Sequence, residues 1–476
     1  MTERGRFDVA IVGGGPAGMA AANRLGGHGL SVAVIDEQQQ PGGQILRQPP
    51  ASFRVRDWLD GSAYRAPRAA LAAFPASGAI WLGGRSVIGL TPVAEGFRLQ
   101  TAGPQGYDAI EAGRVVLATG CYDLPMARPG WTLPGVMSAG GVQTLLKSQQ
   151  LVPDAPLALA GTHPLMLLVA EQVIAAGGTV ACVAFEQPLA AMIGPAIHAP
   201  AAALASAPLL LGALAGLIRL RRRGVAIRFG QALAAIEGED RARGVLLRAP
   251  DGREERIACA SVGLCYGFVP QSDLTRLAGA SVVHAAPAGG WAARHDDGMR
   301  TDVPGLLVAG EAAGVGGAAC ALTEGRLAAL SILVDAGLAP VASVRREAVS
   351  LRRRRIRQRG FAAMLAAMGD PSPAFAQPLP PEALLCRCEN VSMGIVAAAV
   401  AEGLPANAVK LGTRIGMGLC QGRSCEHALL RLIAARDGAD PADVPGFAAR
   451  FPVRPARIGD IAGVASDATI SGDHGD

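Results

Sequence analysis

One stretch constrains this chain more than any other. Phe7-Asp-Val-Ala-Ile-Val12 is a short apolar run of the kind that a parallel sheet buries on both faces. Gly13-Gly14-Gly15-Pro16-Ala17-Gly18 follows at once and matches G-x-G-x-x-G. Met19 to Leu25 carries a helical pattern, and a second apolar run, Ser31 to Ile35, ends in Asp36. The order predicts a strand, a tight loop, a helix and a second strand, closing on an acid. Each part has a reason. Gly13 permits the turn, Gly15 lets a pyrophosphate approach the backbone, and Gly18 brings helix and strand together. The N-terminus of the helix, opening at Pro16 and Ala17, presents free N–H groups and a partial positive charge to phosphate. Asp36, 23 residues after Gly13, is placed to accept from ribose hydroxyls, with Glu37 as the less favoured alternative.

That loop alone does not distinguish one dinucleotide from another, but later segments do. Pro41-Gly-Gly43-Gln44 resembles the loop that passes the flavin ring in FAD enzymes. Val115-Val-Leu-Ala-Thr119-Gly120 resembles the A-T-G strand of the same families. Gly305-Leu-Leu-Val-Ala-Gly310-Glu311, with Gly314, Gly316-Gly317 and Glu324-Gly-Arg326 after it, resembles their second FAD motif. That motif usually places Asp at the strand end, to bond a ribityl hydroxyl; Glu311 is one methylene longer. Val87 is counted with these cofactor-binding candidates.

A second unit of the same design is degraded. Leu157-Ala-Leu-Ala160 is an apolar strand, Gly161-Thr-His163-Pro-Leu-Met166 follows, and Val180 to Phe185 ends in Glu186. His163 stands at the second glycine's position and Met166 at the third's. A side chain at the second position blocks a pyrophosphate, so nicotinamide binding is expected to be weak or absent, and His163 to cap the turn. No C-x-x-C adjoins the unit, which disfavours disulfide reductase chemistry.

Four of the nine cysteines form two close pairs: Cys386-Arg-Cys388, then 31 residues, then Cys420-Gln-Gly-Arg-Ser-Cys425. Two thiolates for each of two irons suit a [2Fe-2S] cluster. A four-cysteine zinc site is the rival, though zinc ribbons prefer C-x2-C to C-x-C. Met393 to Glu402 is expected to be a short helix, and the glycines of Thr413 to Gly418 to let the chain wrap a cluster. Cys121, Cys182, Cys259, Cys265 and Cys320 are expected to be small buried hydrophobes.

Half the residues are apolar and 17% are charged, which suits large cores and argues against disorder of the chain as a whole. A net charge of +5 and 4% aromatics give no reason to expect nucleic acid. Leu189 to Ile218 is nearly free of strong polarity, and a basic run, Arg219 to Arg223, follows. Pro195, Pro200 and Pro208 argue for packed helices over a membrane span, with peripheral membrane contact as the functional option. Met1 to Arg6 has no signal-peptide character, so a reducing, cytoplasmic setting is expected, with association at the inner face of the membrane as its extension. The basic run Arg352-Arg-Arg-Arg-Ile-Arg357 is expected to be a solvated helix face, or else a partner surface. His198, His284 and His295 are isolated and expected to be structural, and no catalytic acid or base stands out.

Arg128-Pro-Gly-Trp-Thr-Leu-Pro-Gly-Val136, Gly416-Met-Gly-Leu-Cys-Gln-Gly-Arg-Ser-Cys425 and Pro452-Val-Arg-Pro455 resemble the α subunits of opine oxidases, hydrogen cyanide synthases and D-hydroxyproline dehydrogenases. The resemblance runs from about residue 6 to 460. It implies an α/β flavoprotein with two dinucleotide-binding domains: a discontinuous FAD domain over 6–145 and 286–340, and an inserted NAD(P)-binding-like domain over 146–285. A basic helix and proline-rich linker would follow over 341–381. A bacterioferritin-associated-ferredoxin-like (BFD-like) [2Fe-2S] domain would span 382–433, with Cys386, Cys388, Cys420 and Cys425 as ligands, and a tail 434–476, its end disordered. It also implies a D-amino acid oxidase-like β subunit with its own FAD, and a small amino acid, opine or glycine as substrate. The alternatives are a self-sufficient NAD(P)H-dependent oxidoreductase and a pure electron-transfer subunit.

Overall fold

The computed structural model describes residues 5–461 except 51, 54, 56–60 and 105. The expected disorder of the last residues lies outside this range. Strand Arg6–Val12 is central to a seven-stranded sheet. Val32–Asp36 pairs with it in parallel on one side and the long strand Gly106–Leu117 on the other. Ile80–Gly83 extends the parallel part, and Leu306–Val308 adds to Gly106–Leu117. The first half of that long strand turns outward and carries an antiparallel meander, Gly96–Gly103 and Ser86–Val93. The parallel strands read as continuous apolar runs because helices cover both faces. Helix Pro16–Leu25 packs on helix Ala318–Asp335 so closely that a Cβ on Gly325 would stand 2.0 Å from the Ala17 carbonyl oxygen.

The second unit is a parallel five-stranded sheet. Its order is Ala226–Phe229, Val180–Phe185, Leu157–Gly161, Ser261–Cys265 and Val136–Ser138. Val136–Ser138 therefore belongs to the second sheet, which moves the crossing between the units ahead of residue 136, not to 145. The return crossing lies near Phe268–Pro270, where that strand pairs with Cys121–Asp123, not at 285. Sheet membership, decided by long-range pairing, is what the local pattern could not reveal.

Leu189 to Arg222 is broken into three helices, Leu189–His198, Pro200–Ala205 and Ala207–Arg222. Among the described residues no helix is long and apolar enough to cross a membrane. Several of their side chains stay outside: Ile197, Leu204 and Leu211 are more than half exposed.

Val341–Met368 is one continuous helix of 28 residues. Its arginines are solvated as expected except Arg355, which turns inward with Arg359 onto the fully buried Glu324. The proline-rich stretch after it is packed rather than free. Ala374 is buried, and the Arg128 guanidinium donates to its carbonyl at 2.9 Å. The C-terminal domain has a short hairpin, Leu384–Cys386 with Val391–Ser392, and helices Met393–Ala401, Ala406–Thr413 and Glu426–Asp437. The last helix runs past residue 433. The domain's core (Val396, Val409, Leu429, Ile433) is continuous with Trp131 and Tyr266 of the second unit. The Trp131 indole N–H donates to the Leu384 carbonyl at 2.7 Å, so Arg128 and Trp131 clamp the domain in place.

Candidate cofactor sites

The first glycine loop behaves as its spacing requires. Gly13 has φ +107°, and a Cβ there would meet the Ala118 carbonyl oxygen at 2.3 Å. A Cβ on Gly18 would meet the Gly13 oxygen at 1.9 Å, so Gly18 draws the helix in and does not face ligand. Gly15 and Gly43 face each other; a Cβ on Gly43 would stand 2.6 Å from the Gly15 Cα. Helix Pro16–Leu25 has no side-chain cap and no acid in its first turn, which leaves its N–H groups for phosphate. Gly13, Gly15, Pro16, Ala17, Asp36, Glu37, Gly43, Gln44, Val87, Thr119, Gly120, Gly310 and Glu311 all line one cleft of about 710 Å³, and Gly18 does not; the volume is within the range of small-molecule sites.

The acids divide their work in a way the sequence did not show. Asp36 accepts from the Gly14 N–H at 2.6 Å and the Gln38 N–H at 2.7 Å. It braces the loop while still lining the cleft. Burial pushes its pKa up, and those two N–H groups pull it back. Among the described residues Glu37 carries no such bonds; it is 44% exposed and faces Arg454 at 3.8 Å, on the cleft wall. Glu311 turns both oxygens onto the Gly316 and Gly317 N–H groups, at 2.8 and 2.9 Å. The extra methylene lets it cap the loop before helix Ala318–Asp335. Its pKa is raised by burial. Glu324, one helix turn past Cys320, accepts from the Gly310 N–H at 3.0 Å and holds Arg355 and Arg359. Arg359 also donates to the Gly314 carbonyl at 2.6 Å and lines the cleft. The glycine cradle, open helix end and lining acids fit FAD.

The second loop is filled by the protein itself. Gly161 makes the turn at φ +149°, and Met166 is buried core. The His163 Nδ1 accepts from the Leu165 N–H at 3.2 Å, the capping role expected of it. Its ring meets Phe268 edge-on at 5.2 Å, and burial lowers its pKa to about 4. The segment after the long helix lies over the loop. Thr162 Oγ1 donates to the Gly369 carbonyl at 2.8 Å, and Gln187 Nε2 to the Met368 carbonyl at 2.7 Å. Glu186, which closes the second strand where Asp36 closes the first, is consumed. It accepts from Tyr266 at 2.5 Å and from Gln377 at 3.0 Å, and pairs with buried Arg128 at 3.5 Å.

The four clustered cysteines converge as two pairs. Cys386 and Cys425 face each other: the neighbouring Cys425 pushes the Cys386 thiol down to about 5, while Cys386 and burial drive Cys425 up. Cys388 pairs with Cys420 and is raised, first by burial. Among the described residues no three His, Cys, Asp or Glu side chains converge on one point. Two-by-two donors suit two irons, where zinc needs four about one ion. Both glycines are sterically required: a Cβ on Gly418 would stand 2.3 Å from the Cys388 Cβ, and one on Gly416 2.5 Å from the Phe447 ring. Cys386 and Cys425 are buried while Cys388 is exposed, so one edge of the site reaches the surface.

Several site residues escaped the sequence reading. Lys147 is buried at the cleft wall on a π-helical turn, Leu145–Gln149, beside Tyr64 and the Gln44 carbonyl. Burial lowers its pKa to about 8. Tyr122 and buried His427 share a 3.0 Å hydrogen bond between the first unit and the cluster domain. Cys121, expected to be core filling, lines the cleft; the other four scattered cysteines are buried. His295, near Arg355 at 3.1 Å, has a structural place.

Residues 7–198 match the family described as pyridine nucleotide-disulphide oxidoreductase, and 384–435 match the BFD-like [2Fe-2S] binding domain. An opine oxidase subunit of Rhizobium meliloti is 34% identical over 471 residues, covering 96% of this chain and 98% of that protein. Hydrogen cyanide synthase subunit HcnB of Pseudomonas protegens is 32% identical, covering 94% and 96%. Among solved structures, L-proline dehydrogenase from P. horikoshii superposes with a TM-score of 0.68 at 19% identity, over 96% of this chain and 79% of that one. That likeness speaks for the fold alone. With the cleft and the paired thiols in place, the chain belongs to the family that holds these opine oxidase and hydrogen cyanide synthase subunits: it is an FAD-dependent oxidoreductase subunit with a [2Fe-2S] domain.

Proposed function

We propose that this chain is the electron-relaying α subunit of a heteromeric dehydrogenase acting on the C–N bond of an amino acid, such as an opine, D-hydroxyproline or glycine. The observation that carries the reading is a contrast within one chain. The first dinucleotide cleft is open, the four thiols stand in two pairs nearby, and the second nucleotide loop is filled by the protein's own residues. A bound flavin accepts two electrons together, and an iron–sulfur cluster passes them on singly. The chain's own residues do the rest. Gly13, Gly15 and the end of helix Pro16–Leu25 take the pyrophosphate, Glu37 takes the ribose role first given to Asp36, and Gly310 and Glu311 shape the ribityl side. Cys386, Cys388, Cys420 and Cys425 hold the cluster, with the Cys388 edge turned to the electron acceptor. The amine oxidation itself falls to a D-amino acid oxidase-like partner, and the relay ends in a respiratory acceptor. The exposed apolar residues of Leu189 to Ile218, beside Arg221–Arg223, support peripheral contact with the inner face of the membrane.

The second reading, a self-sufficient NAD(P)H-dependent reductase, needs a working second loop. His163, the Met368–Gln377 segment and the consumed Glu186 speak against it. An anaerobic visible spectrum of the chain copurified with its partner decides between them. The relay reading expects flavin and iron–sulfur bands that NADH and NADPH leave oxidised and that a suitable amino acid or opine bleaches. Bleaching by either nicotinamide within seconds would overturn it in favour of the reductase.

A further inference from the structure

The geometry points to Arg423 as the residue that sets the reduction potential of the cluster, with Asp273 of the flavin cleft holding it in place and tempering its charge. Arg423 lies between two of the cluster ligands. Its Nη1 donates to the Cys420 carbonyl at 3.0 Å. Its Nη2 donates to Asp273 Oδ2 at 2.7 Å and to the Val453 carbonyl at 3.4 Å. The guanidinium is 14% exposed, and its Nε is buried with no acceptor among the described residues. Asp273, Gln271 and Arg454 all line the cleft. With its amide turned, Gln271 accepts from Arg423 at 3.1 Å and from Arg454 at 3.3 Å. Arg454 in turn faces Glu37. A run of charged and polar groups, Asp273, Arg423, Gln271, Arg454 and Glu37, thus joins the cleft to the loop that carries Cys420 and Cys425. It also gives the Pro452-Val-Arg-Pro455 motif a role, as the strap that brings Arg454 to the cleft.

The physical consequence follows from charge. Reduction adds one electron to the cluster, and hence one negative charge. A partly buried guanidinium beside it favours the reduced form, and a carboxylate behind the guanidinium offsets part of that effect. Arg423 and Asp273 must therefore act with opposite signs. Arg423 touches no reacting atom; it acts through the cluster as a tuning residue. The inference rests on the relay reading, because only a redox-active cluster has a potential to set.

The test is a mediator-equilibrated redox titration, followed by electron paramagnetic resonance of the reduced cluster, on the full chain with its partner and without substrate. Arg423→Gln is expected to lower the reduced-to-oxidised ratio at fixed poise about tenfold, which is about 59 mV for one electron. Asp273→Asn is expected to raise it about threefold, and Arg423→Lys to stay within threefold of the parent. A merely structural contact would not produce opposite shifts. If Arg423→Gln fails to assemble a cluster, Asp273→Asn and Arg423→Lys still decide the matter. Shifts of the same sign in Arg423→Gln and Asp273→Asn, or no shift in Asp273→Asn, would overturn the inference. A parent protein with no cluster signal would instead overturn the relay reading beneath it.

Discussion

The two βαβ units of this chain share a scaffold and have opposite fates. Both open with a buried parallel strand, turn on a glycine, enter a helix and close on an acid. In the first, Gly15 stays bare against Gly43, Asp36 bonds only its own backbone loop, and a cleft opens beyond. In the second, His163 and Met166 replace two glycines, and Glu186 is spent on Tyr266, Gln377 and Arg128. The difference teaches that one scaffold can leave its glycine loop bare or cover it from within, and that the covering groups are paired with one another, since an unpaired buried polar group costs about 1–3 kcal/mol. The Met368–Gln377 segment supplies part of that cover here, with Tyr266 and Arg128.

Three experiments press on that contrast. The largest effect is expected from Gly18→Val. Even its Cβ would lie 1.9 Å from the Gly13 oxygen, so helix Pro16–Leu25 must move, FAD should be absent from the purified protein, and the unfolding midpoint should fall sharply. A variant that keeps stoichiometric FAD absorbance would break the account of the first loop. The second unit should answer a change at its acid with stability instead of cofactor content. Glu186→Gln leaves buried Arg128 without its charge partner, at a cost of roughly 3–5 kcal/mol in urea unfolding, with flavin retained. Loss of flavin at unchanged stability would reverse the assignment.

The smallest effect concerns His163. Its folded pKa of about 4 lies below the value near 6.5 of an unfolded histidine. The unfolded chain therefore binds the proton first as pH falls. Stability should be full above pH 6.5 and decline towards pH 4, by up to roughly 3 kcal/mol. His427, lowered to about 3, adds a slope of the same sign. His163→Asn should flatten the curve between those limits without creating NADH binding, since the Met368–Gln377 segment stays in place. A variant that is reduced by NADH would show that the imidazole alone closed the second loop.

What was legible at the outset was local. The first glycine loop, the degraded second one and the C-x-C with C-x4-C pairs all lie within short windows where spacing carries the geometry. The long-range partners were not legible. Arg359 reaches Glu324 across 35 residues, Arg423 reaches Asp273 across 150, and Gln377 reaches Glu186 across 191. No local pattern marks an arginine in a basic run as the one that turns inward. Asp36 stands at the spacing of a ribose-binding acid, but a carboxylate's role follows from where its lone pairs are spent.

The sequence by itself determined the class of this protein. It set an α/β flavoprotein with one intact and one degraded glycine loop and a two-by-two thiol site, because glycine positions and cysteine spacing act through covalent geometry and steric exclusion. The tertiary structure alone decided where the Asp36 carboxylate is spent, that the Met368–Gln377 segment lies over the second loop, and how the cysteine loop is tied to the cleft through Arg423 and Asp273. Those outcomes depend on which buried charges and hydrogen-bonding groups meet once the core has formed, and desolvation makes each such meeting a matter of three-dimensional neighbours.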